Sequence, residues 1–226
     1  MRRGAFAVIT ALVVLTGCGG GSSGSNGGGK PSSQPSGSSP TTYRSPPPSL
    51  PASPVELSTA KPPWPAPATL TAGDPQGVYP TAAGLPYAEE MLSVHYHSHL
   101  DVIADGAHVV VPGGIGFVGT PPDHYRALAP LHTHSQDGII HIENSVPATF
   151  VLGQFFIEWG VKLTSSCVGG LCSGNGKELA FFVDGKRFTG DPTRIVLKKH
   201  EEIAILYGDT GKLPTPPATY AFPSGE

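Results

Sequence analysis

Residues 131–143, LHTHSQDGIIHIE, constrain the fold of this chain more than any other stretch. The turn at residues 135–138 ends in an Asp-Gly pair followed by a β-branched pair, which is typical of a β-hairpin. Pairing around that turn places His132 directly opposite His141, and side chains two apart on a strand share a face. The hairpin is therefore predicted to bring three histidines and an acid onto one face: His132, His134, His141 and Glu143.

A second run of histidines precedes this hairpin. Residues 91–104 alternate with period two, as in a strand, and put three histidines and Asp101 on one face. Neutral imidazole binds Zn, Cu, Ni and Fe, so two adjacent histidine strands indicate a metal site. Asp101, Asp137 and Glu143 are candidates to orient imidazole N–H groups from outside the ligand set. The alternative is that they are ordinary turn and surface acids, and for Asp137 the turn is favoured. The predicted metal ligands are His132, His134, His141, His97, His99 and His95.

The alternative is that the histidines are polar positions whose ring nitrogens bond to carbonyls and carboxylates. An isolated histidine favours this interpretation, which we apply to His108, His124 and His200. For the two clustered runs, the spacing favours a metal. If no metal binds, the protein is expected to be structural or to interact with another protein.

The N-terminus has the features of an export signal. Arg2 and Arg3 precede an apolar run over residues 5–15, which is too short to predict a membrane span. The run ends in Leu15-Thr16-Gly17-Cys18, which resembles the lipobox of bacterial lipoproteins. The resemblance implies lipidation of Cys18 and a protein anchored in the cell membrane, facing the extracytoplasmic side.

The remaining ligand inventory narrows the chemistry. Cys167 and Cys172 flank a Gly-Gly turn in an exported chain and are predicted to form a disulfide, with paired thiolate ligands as the alternative. A blue-copper centre needs a thiolate, and no H-E-x-x-H motif occurs. The sequence therefore predicts a binding module for Zn or Cu(II). A metal-dependent hydrolase or oxidase is the alternative, and binding is favoured over catalysis.

Composition predicts the domain boundaries after the signal at residues 1–18. Gly, Ser and Pro make up most of residues 19–62, which are therefore predicted to be a disordered tether. Residues 63–90 mix apolar anchors with prolines and are expected to pack on the domain as an arm. The histidine-rich β domain follows at residues 91–210, and residues 211–226 are expected to form a flexible tail.

Charge and membrane targeting predict the partners. The formal net charge of −3 and the pI near 6.3 give no electrostatic case for nucleic acid. The predicted partners are the lipid membrane, reached through Cys18, and a metal ion. A protein partner is left open.

The spacing of turns and apolar residues predicts a β-rich α+β fold, built from antiparallel hairpins with one short helix. The helix is predicted over residues 152–159, with Gly160 as its C-terminal cap. Residues 118–130 are predicted to be a loop. The other hairpin strands and the last regular segment are predicted at residues 91–104 with 107–111, 179–183 with 186–189, and 195–206.

Several motifs together are similar to a known type of domain. They are His-x-His-x-His-Leu-Asp-Val, Val-Pro-x-x-Ile-Gly, Leu-His-Thr-His, Gly-Ile-Ile-His-Ile-Glu, Leu-Gly-Gln-Phe-Phe and Trp-Gly. The set resembles a histidine-rich extracytoplasmic domain of bacterial hypothetical proteins and lipoproteins, over about residues 82–208. The resemblance supports the domain boundary and implies no particular activity.

Overall fold

The computed structural model describes residue 50 and residues 55–67, 77–85, 87, 93–120 and 124–226, with the backbone alone for residues 119, 120 and 124–126. These residues belong to one compact unit, residues 44–226, and the other unit of the chain is residues 1–43. The predicted signal with Cys18, and most of the predicted tether, lie outside the described residues.

The described part is mostly strands arranged in sheets, with two short helices, so the fold is the predicted β-rich α+β type. Helix α1 spans Val78–Ala83, helix α2 spans Leu152–Glu158, and a 3-10 turn covers Pro192–Arg194. The strands are β1 (Val94–Ala104), β2 (Ala107–Val109), β3 (Phe117–Thr120), β4 (His124–Leu128), β5 (Leu131–His132), β6 (Ile139–Asn144), β7 (Cys167–Val168), β8 (Leu171–Cys172), β9 (Lys177–Val183), β10 (Lys186–Phe188) and β11 (Glu202–Asp209).

The main sheet is organised around β1. Its strand order is β10-β9-β11-β1-β6-β5, and β2 pairs with β1 beyond the end of β6. β1 and β11 run parallel, while the other neighbours in this sheet run antiparallel. β1 therefore joins the histidine hairpin on one side to β11 on the other.

The two faces of the main sheet differ because side chains alternate along each strand. One face belongs to the hydrophobic core, which it shares with the aromatic residues of α2. Burying each large apolar side chain contributes roughly 1.5–3 kcal/mol. The alternate positions of the same strands therefore carry the polar residues that the opposite face displays. The core positions include Leu100, Val102, Ile140, Ile142, Ile203 and Ile205.

The predicted hairpins are confirmed where the alternation is regular. β1 pairs with β2, and β9 pairs with β10, around the predicted Asp-Gly turns. The hairpin of β5 and β6 has the predicted register, with His132 opposite His141. Helix α2 is also confirmed, and Gly160 follows it with a φ of 73°. Periodicity was sufficient for these elements.

The prediction of a loop over residues 118–130 is wrong. β3 and β4 form an antiparallel pair there, and their register shifts between Val118 and Gly119. A bulge of this kind breaks the period-two alternation from which a strand is recognised. The hairpin was therefore missed.

Two further differences come from short elements. Helix α1 was not predicted, because its six residues include Pro80 and are too few to show a 3.6-residue period. The last strand begins at Glu202 rather than Ile195, because a 3-10 turn precedes residue 195 and His200 has a left-handed φ of 58°. Hydrophobic spacing reveals neither a helix this short nor a turn inside an apolar segment.

Part of the predicted arm lies in the core. Trp64 is 3% exposed, and its ring makes an edge-to-face contact with Trp159 at 5.7 Å. The Trp159 indole N–H donates to the Trp64 carbonyl at 3.2 Å. These contacts attach the start of residues 63–90 to α2 and its cap.

Cys167 and Cys172 form a disulfide across the β7–β8 hairpin, with their Cα atoms 4.1 Å apart. The disulfide uses both sulfur atoms, so the alternative of paired thiolate ligands is not what the structure shows. Among the helices of the described ranges, none combines the length and the apolar composition needed to cross a membrane.

Candidate metal centre

Three neighbouring strands bring the predicted ligands together. His132 of β5 lies opposite His141 of β6, and His141 lies opposite His97 of β1. Two residue pairs further along, on the same face, His95 lies opposite Glu143. Directly opposed residues have Cβ atoms about 4.5–5.5 Å apart, so the imidazoles of this row lie close together on adjacent strands. We call the set His95, His97, His132, His134, His141 and Glu143 the histidine cluster.

The ligand atoms of the cluster are spaced as they would be around a small ion. The Nε2 atoms of His95 and His97 are 3.0 Å apart. The Oε1 atom of Glu143 is 3.3 Å from His95 Nε2 and 3.7 Å from His132 Nε2. With Zn–N bonds of 2.0–2.1 Å in a tetrahedron, two ligand atoms lie about 3.3 Å apart. The histidine cluster therefore needs little rearrangement to hold a metal.

The remaining member, His134, lies in the turn and is exposed. Its ring centroid is 5.0 Å from that of His132 and 4.3 Å from that of His141. Two groups result, and they share His141. Within each, the ligand atoms lie within 4.8 Å of one another. The groups are His132, His134, His141 and Glu143, and His95, His97 and His141.

Burial keeps the inner imidazoles neutral. Desolvation, with the neighbouring histidines adding to it, lowers the pKa of His97 to about 4, of His132 to about 3 and of His141 to about 2. A neutral imidazole retains a nitrogen lone pair at pH 7, and that lone pair is what a metal ion binds. The inner part of the cluster is therefore ready to bind a metal without first losing protons.

His132 has its proton fixed by the backbone. Its Nδ1 atom is 3.0 Å from the carbonyl oxygen of Ala129, which can only accept a hydrogen bond. The neutral ring therefore carries its proton on Nδ1 and directs the Nε2 lone pair towards Glu143. Within the described ranges, His132 Nε2 is buried with no hydrogen-bond partner. Metal-binding histidines typically donate their other N–H in this way.

The predicted ligand His99 lies apart from the cluster. Its Nδ1 is 2.7 Å from the Glu202 carboxylate and its Nε2 is 2.8 Å from the Asp137 carbonyl, so both ring nitrogens donate. Burial opposes the charged form, but the hydrogen bond and charge of Glu202 outweigh it and raise the pKa of His99. His99, Asp101 and Glu202 form a third group with metal-ligand spacing. A doubly donating His99 offers that group no lone pair.

The isolated histidines have other partners. His108 is exposed, and its Nδ1 lies 3.2 Å from the Asp101 carboxylate. The ring of His200 stacks on Phe222 at 4.7 Å. The structure describes only the backbone of His124. Asp101, which was predicted to orient an imidazole, contacts His108 at the surface. It also lies beside His99 and Glu202.

Sequence reasoning missed an acid beside the cluster. The Oε2 atom of Glu226 lies 2.9 Å from His97 Nε2 and 3.9 Å from His141 Nδ1. The Tyr220 ring stacks on His99 at 3.6 Å. The segment predicted as a flexible tail therefore lies across the histidine face. No periodicity or motif links it to the hairpin, so the sequence carries no signal for this contact.

A second missed acid, Glu158 of α2, lies on the core side of the cluster. A Cβ atom on Gly116 would lie 3.0 Å from His132 Cβ and 3.2 Å from Glu158 Oε1, so this glycine separates the two side chains. Burial raises the pKa of Glu158 well above its ordinary value. The carboxyl group is therefore held in its neutral form, and Glu143 and Glu226 remain the acids that face the histidines.

Comparison of the chain with protein-family models, with curated proteins and with solved structures gives no match. Any function must therefore be argued from the histidine cluster itself. Neutral, convergent imidazoles with an adjacent carboxylate can hold a transition-metal ion.

Proposed function

We propose that this protein is a membrane-anchored, extracytoplasmic module that binds a transition-metal ion, Zn or Cu(II), through the histidine cluster. The observation that carries the proposal is the register of β5, β6 and β1. It opposes His132, His141 and His97 in one row and places Glu143 beside His95. Three strands thereby deliver nitrogen ligands from a rigid sheet.

The chemistry of the site favours a metal over an ordinary polar network. Satisfying buried polar groups is the usual function of buried histidines, but His97 Nδ1, His132 Nε2 and His141 Nδ1 have no hydrogen-bond partner within the part of the chain that the structure covers. Each such group costs about 1–3 kcal/mol when left unpaired. Binding of a cation by some of these lone pairs offsets that cost.

The nature of the ligands supports the choice of Zn or Cu(II). Imidazole and carboxylate suit both ions, whereas Cu(I) prefers thiolate and thioether ligands. The disulfide removes Cys167 and Cys172 from the thiolate pool. The proposal therefore excludes a blue-copper centre and keeps the two borderline divalent ions.

Metal content of the full-length chain, purified in detergent without an affinity tag, tests the binding. After loading with Zn²⁺ and gel filtration, elemental analysis should give at least one ion per chain. His132→Ala/His134→Ala should lose at least one equivalent, while His108→Ala should match the wild type, because His108 pairs with Asp101 at the surface. Absence of bound metal in the wild type would refute the proposal.

The membrane anchor rests on the residues that resemble a lipobox, and it has its own test. Cys18→Ser should move the protein from the membrane fraction to the soluble fraction and abolish labelling by radioactive palmitate. Unchanged fractionation and labelling would contradict the anchor and leave the metal site unaffected.

A metal-dependent hydrolase or oxidase is the second candidate, and one observation favours it. His134 is exposed and the side chain of His95 is 39% exposed, so an ion held by them has a side that faces solvent. A catalytic metal keeps such a position for water or substrate. Binding of azide to the Co²⁺-loaded protein, followed by its absorption spectrum, would support this candidate; a spectrum unchanged by azide would oppose it.

A further inference from the structure

The histidine cluster contains more ligands than one ion uses. Zn²⁺ in proteins takes four ligands in most sites. The cluster supplies five imidazoles and the Glu143 carboxylate, and Glu226 adds a second carboxylate at 2.9 Å from His97 Nε2. Seven candidate ligands in adjoining groups are more than a single ion uses.

The surplus ligands are grouped rather than scattered. His95 and His97 present their Nε2 atoms 3.0 Å apart on β1, and Glu226 Oε2 approaches the second of them. His132 and His141 face each other with stacked rings 5.3 Å apart, and the ring centroid of His134 lies 4.3 Å from that of His141. One group provides three ligands from β1 and the segment after β11, and the other provides three ligands from the hairpin of β5 and β6.

Glu143 lies between the two groups. Its Oε1 atom is 3.3 Å from His95 Nε2 in one group and 3.7 Å from His132 Nε2 in the other. A carboxylate in this position can bind two cations at once. In two-metal sites the ions are about 3.5–4 Å apart, a distance that a single carboxylate spans.

We propose that the histidine cluster holds two divalent transition-metal ions side by side. His132, His134 and His141 bind the first, His95, His97 and Glu226 bind the second, and Glu143 bridges them. This inference rests on the proposed metal-binding function and adds to it a second position with its own ligands. It also assigns a function to the segment after β11, which supplies Glu226.

The second position couples metal binding to that segment. Tyr220 stacks on His99 at 3.6 Å, and Phe222 stacks on His200 at 4.7 Å. With Glu226 as a ligand, the second ion attaches the end of this segment to β1. The first ion has no ligand in the segment, so the two positions respond differently to a change at Glu226.

Zinc stoichiometry of the full-length chain tests the inference. The metal-free protein is titrated with Zn²⁺ in a calorimeter, and bound zinc is measured after gel filtration. We expect two ions in the wild type and in His108→Ala, and one in His95→Ala/His97→Ala. Glu226→Gln should weaken the second binding event by roughly tenfold or more and leave the first unchanged.

Cu²⁺ provides an independent readout. Two copper ions bridged by one carboxylate couple magnetically, so the paramagnetic resonance signal of isolated Cu²⁺ should broaden when the second equivalent is added. In His95→Ala/His97→Ala, the isolated signal should persist. Thermal unfolding of each variant shows whether it is folded, and Glu226→Gln keeps the test valid if the double variant is not.

The outcomes separate this inference from the proposed function. One zinc ion in the wild type would overturn the two-ion centre and leave the metal-binding function standing. Two ions in both His95→Ala/His97→Ala and Glu226→Gln, with unchanged affinities, would overturn the assigned ligands. No bound zinc in the wild type would overturn both proposals.

Discussion

At the scale of single residues, neighbouring histidines on one strand have opposite properties because their hydrogen bonds differ. His97 is neutral, with its pKa lowered to about 4, first by burial and then by neighbouring histidines and Lys199. His99, two residues on, has a raised pKa because the bond to Glu202 and its charge outweigh burial. Burial alone would lower the pKa of both histidines. The hydrogen bond from His99 to Glu202 therefore accounts for the difference in pKa between the two histidines.

The hydrogen-bonded pair of His99 and Glu202 leads to a prediction about the stability of the metal-free protein. His99→Ala removes hydrogen bonds to Glu202 and to the Asp137 carbonyl, and leaves a buried carboxyl group without its partner. Breaking a buried pair of this kind costs about 3 kcal/mol or more. Urea unfolding of the metal-free variant should show that loss, while its zinc content stays at the wild-type value. A zinc loss equal to that of His132→Ala/His134→Ala would contradict the assignment.

The sequence predicted most of the candidate site because its ligands follow strand periodicity. Alternation put His95, His97 and His99 on one face, and the Asp-Gly turn set the register of His132 and His141. Periodicity does not give the lengths of the partner strands. β5 is only two residues long and ends at His132. His99 lies two residues beyond His97 along β1, which is about 6.6–6.8 Å at the rise of a strand. His99 therefore lies beyond the end of the row that His132, His141 and His97 form.

At the scale of elements, the turn of the histidine hairpin depends on one glycine. Gly138 has a φ of 79°, in the left-handed region. A Cβ atom there would lie 2.6 Å from the Leu100 carbonyl oxygen and 2.9 Å from His99 Nε2. A side chain at this position therefore collides with β1 as well as straining its own backbone. The turn and the central strand fit together only with glycine.

Gly138→Ala tests this fit against a matched control. The left-handed conformation costs a non-glycine residue about 1–2 kcal/mol, and Gly106, with a φ of 81°, carries that cost alone because nothing lies within 4 Å of its Cβ position. Gly138→Ala should lose clearly more stability than Gly106→Ala in urea unfolding. It should also weaken zinc binding, because the collision displaces β6. Equal losses in the two variants would contradict the crowding.

Long-range contacts explain what sequence could not predict at this scale. The parallel pairing of β1 with β11 joins Asp101 to Ala204, which lies 103 positions further along the chain. No local turn sets this register, unlike that of β5 and β6. Glu202 and Glu226 reach their histidines through this pairing and through the segment that follows it. Local patterns therefore predicted the histidine hairpin and missed Glu202 and Glu226.

At the scale of the whole molecule, the neutral histidines couple folding to pH. In the unfolded chain, histidines titrate near pH 6.5. In the folded protein, burial lowers the pKa of His97 to about 4, of His132 to about 3 and of His141 to about 2. Below pH 6.5 the unfolded state therefore takes up protons that the folded state does not. The contribution of these groups to stability is present above pH 6.5 and is lost as the pH falls towards those values.

The expected result is an acid-sensitive metal-free protein that zinc protects. Between about pH 7.5 and pH 5, its free energy of unfolding should fall by about 2–4 kcal/mol, after allowing for solvent screening of the partly exposed ring. At a free zinc concentration of about 100 Kd, binding should add about 2.7 kcal/mol. Urea unfolding at both pH values, with zinc or with EDTA, measures both effects. His108→Ala should behave as the wild type, because its exposed ring is outside the cluster. His132→Ala/His134→Ala should lose much of the protection by zinc and the share of the pH dependence that comes from His132. A variant that kept both in full would show that they arise elsewhere in the protein.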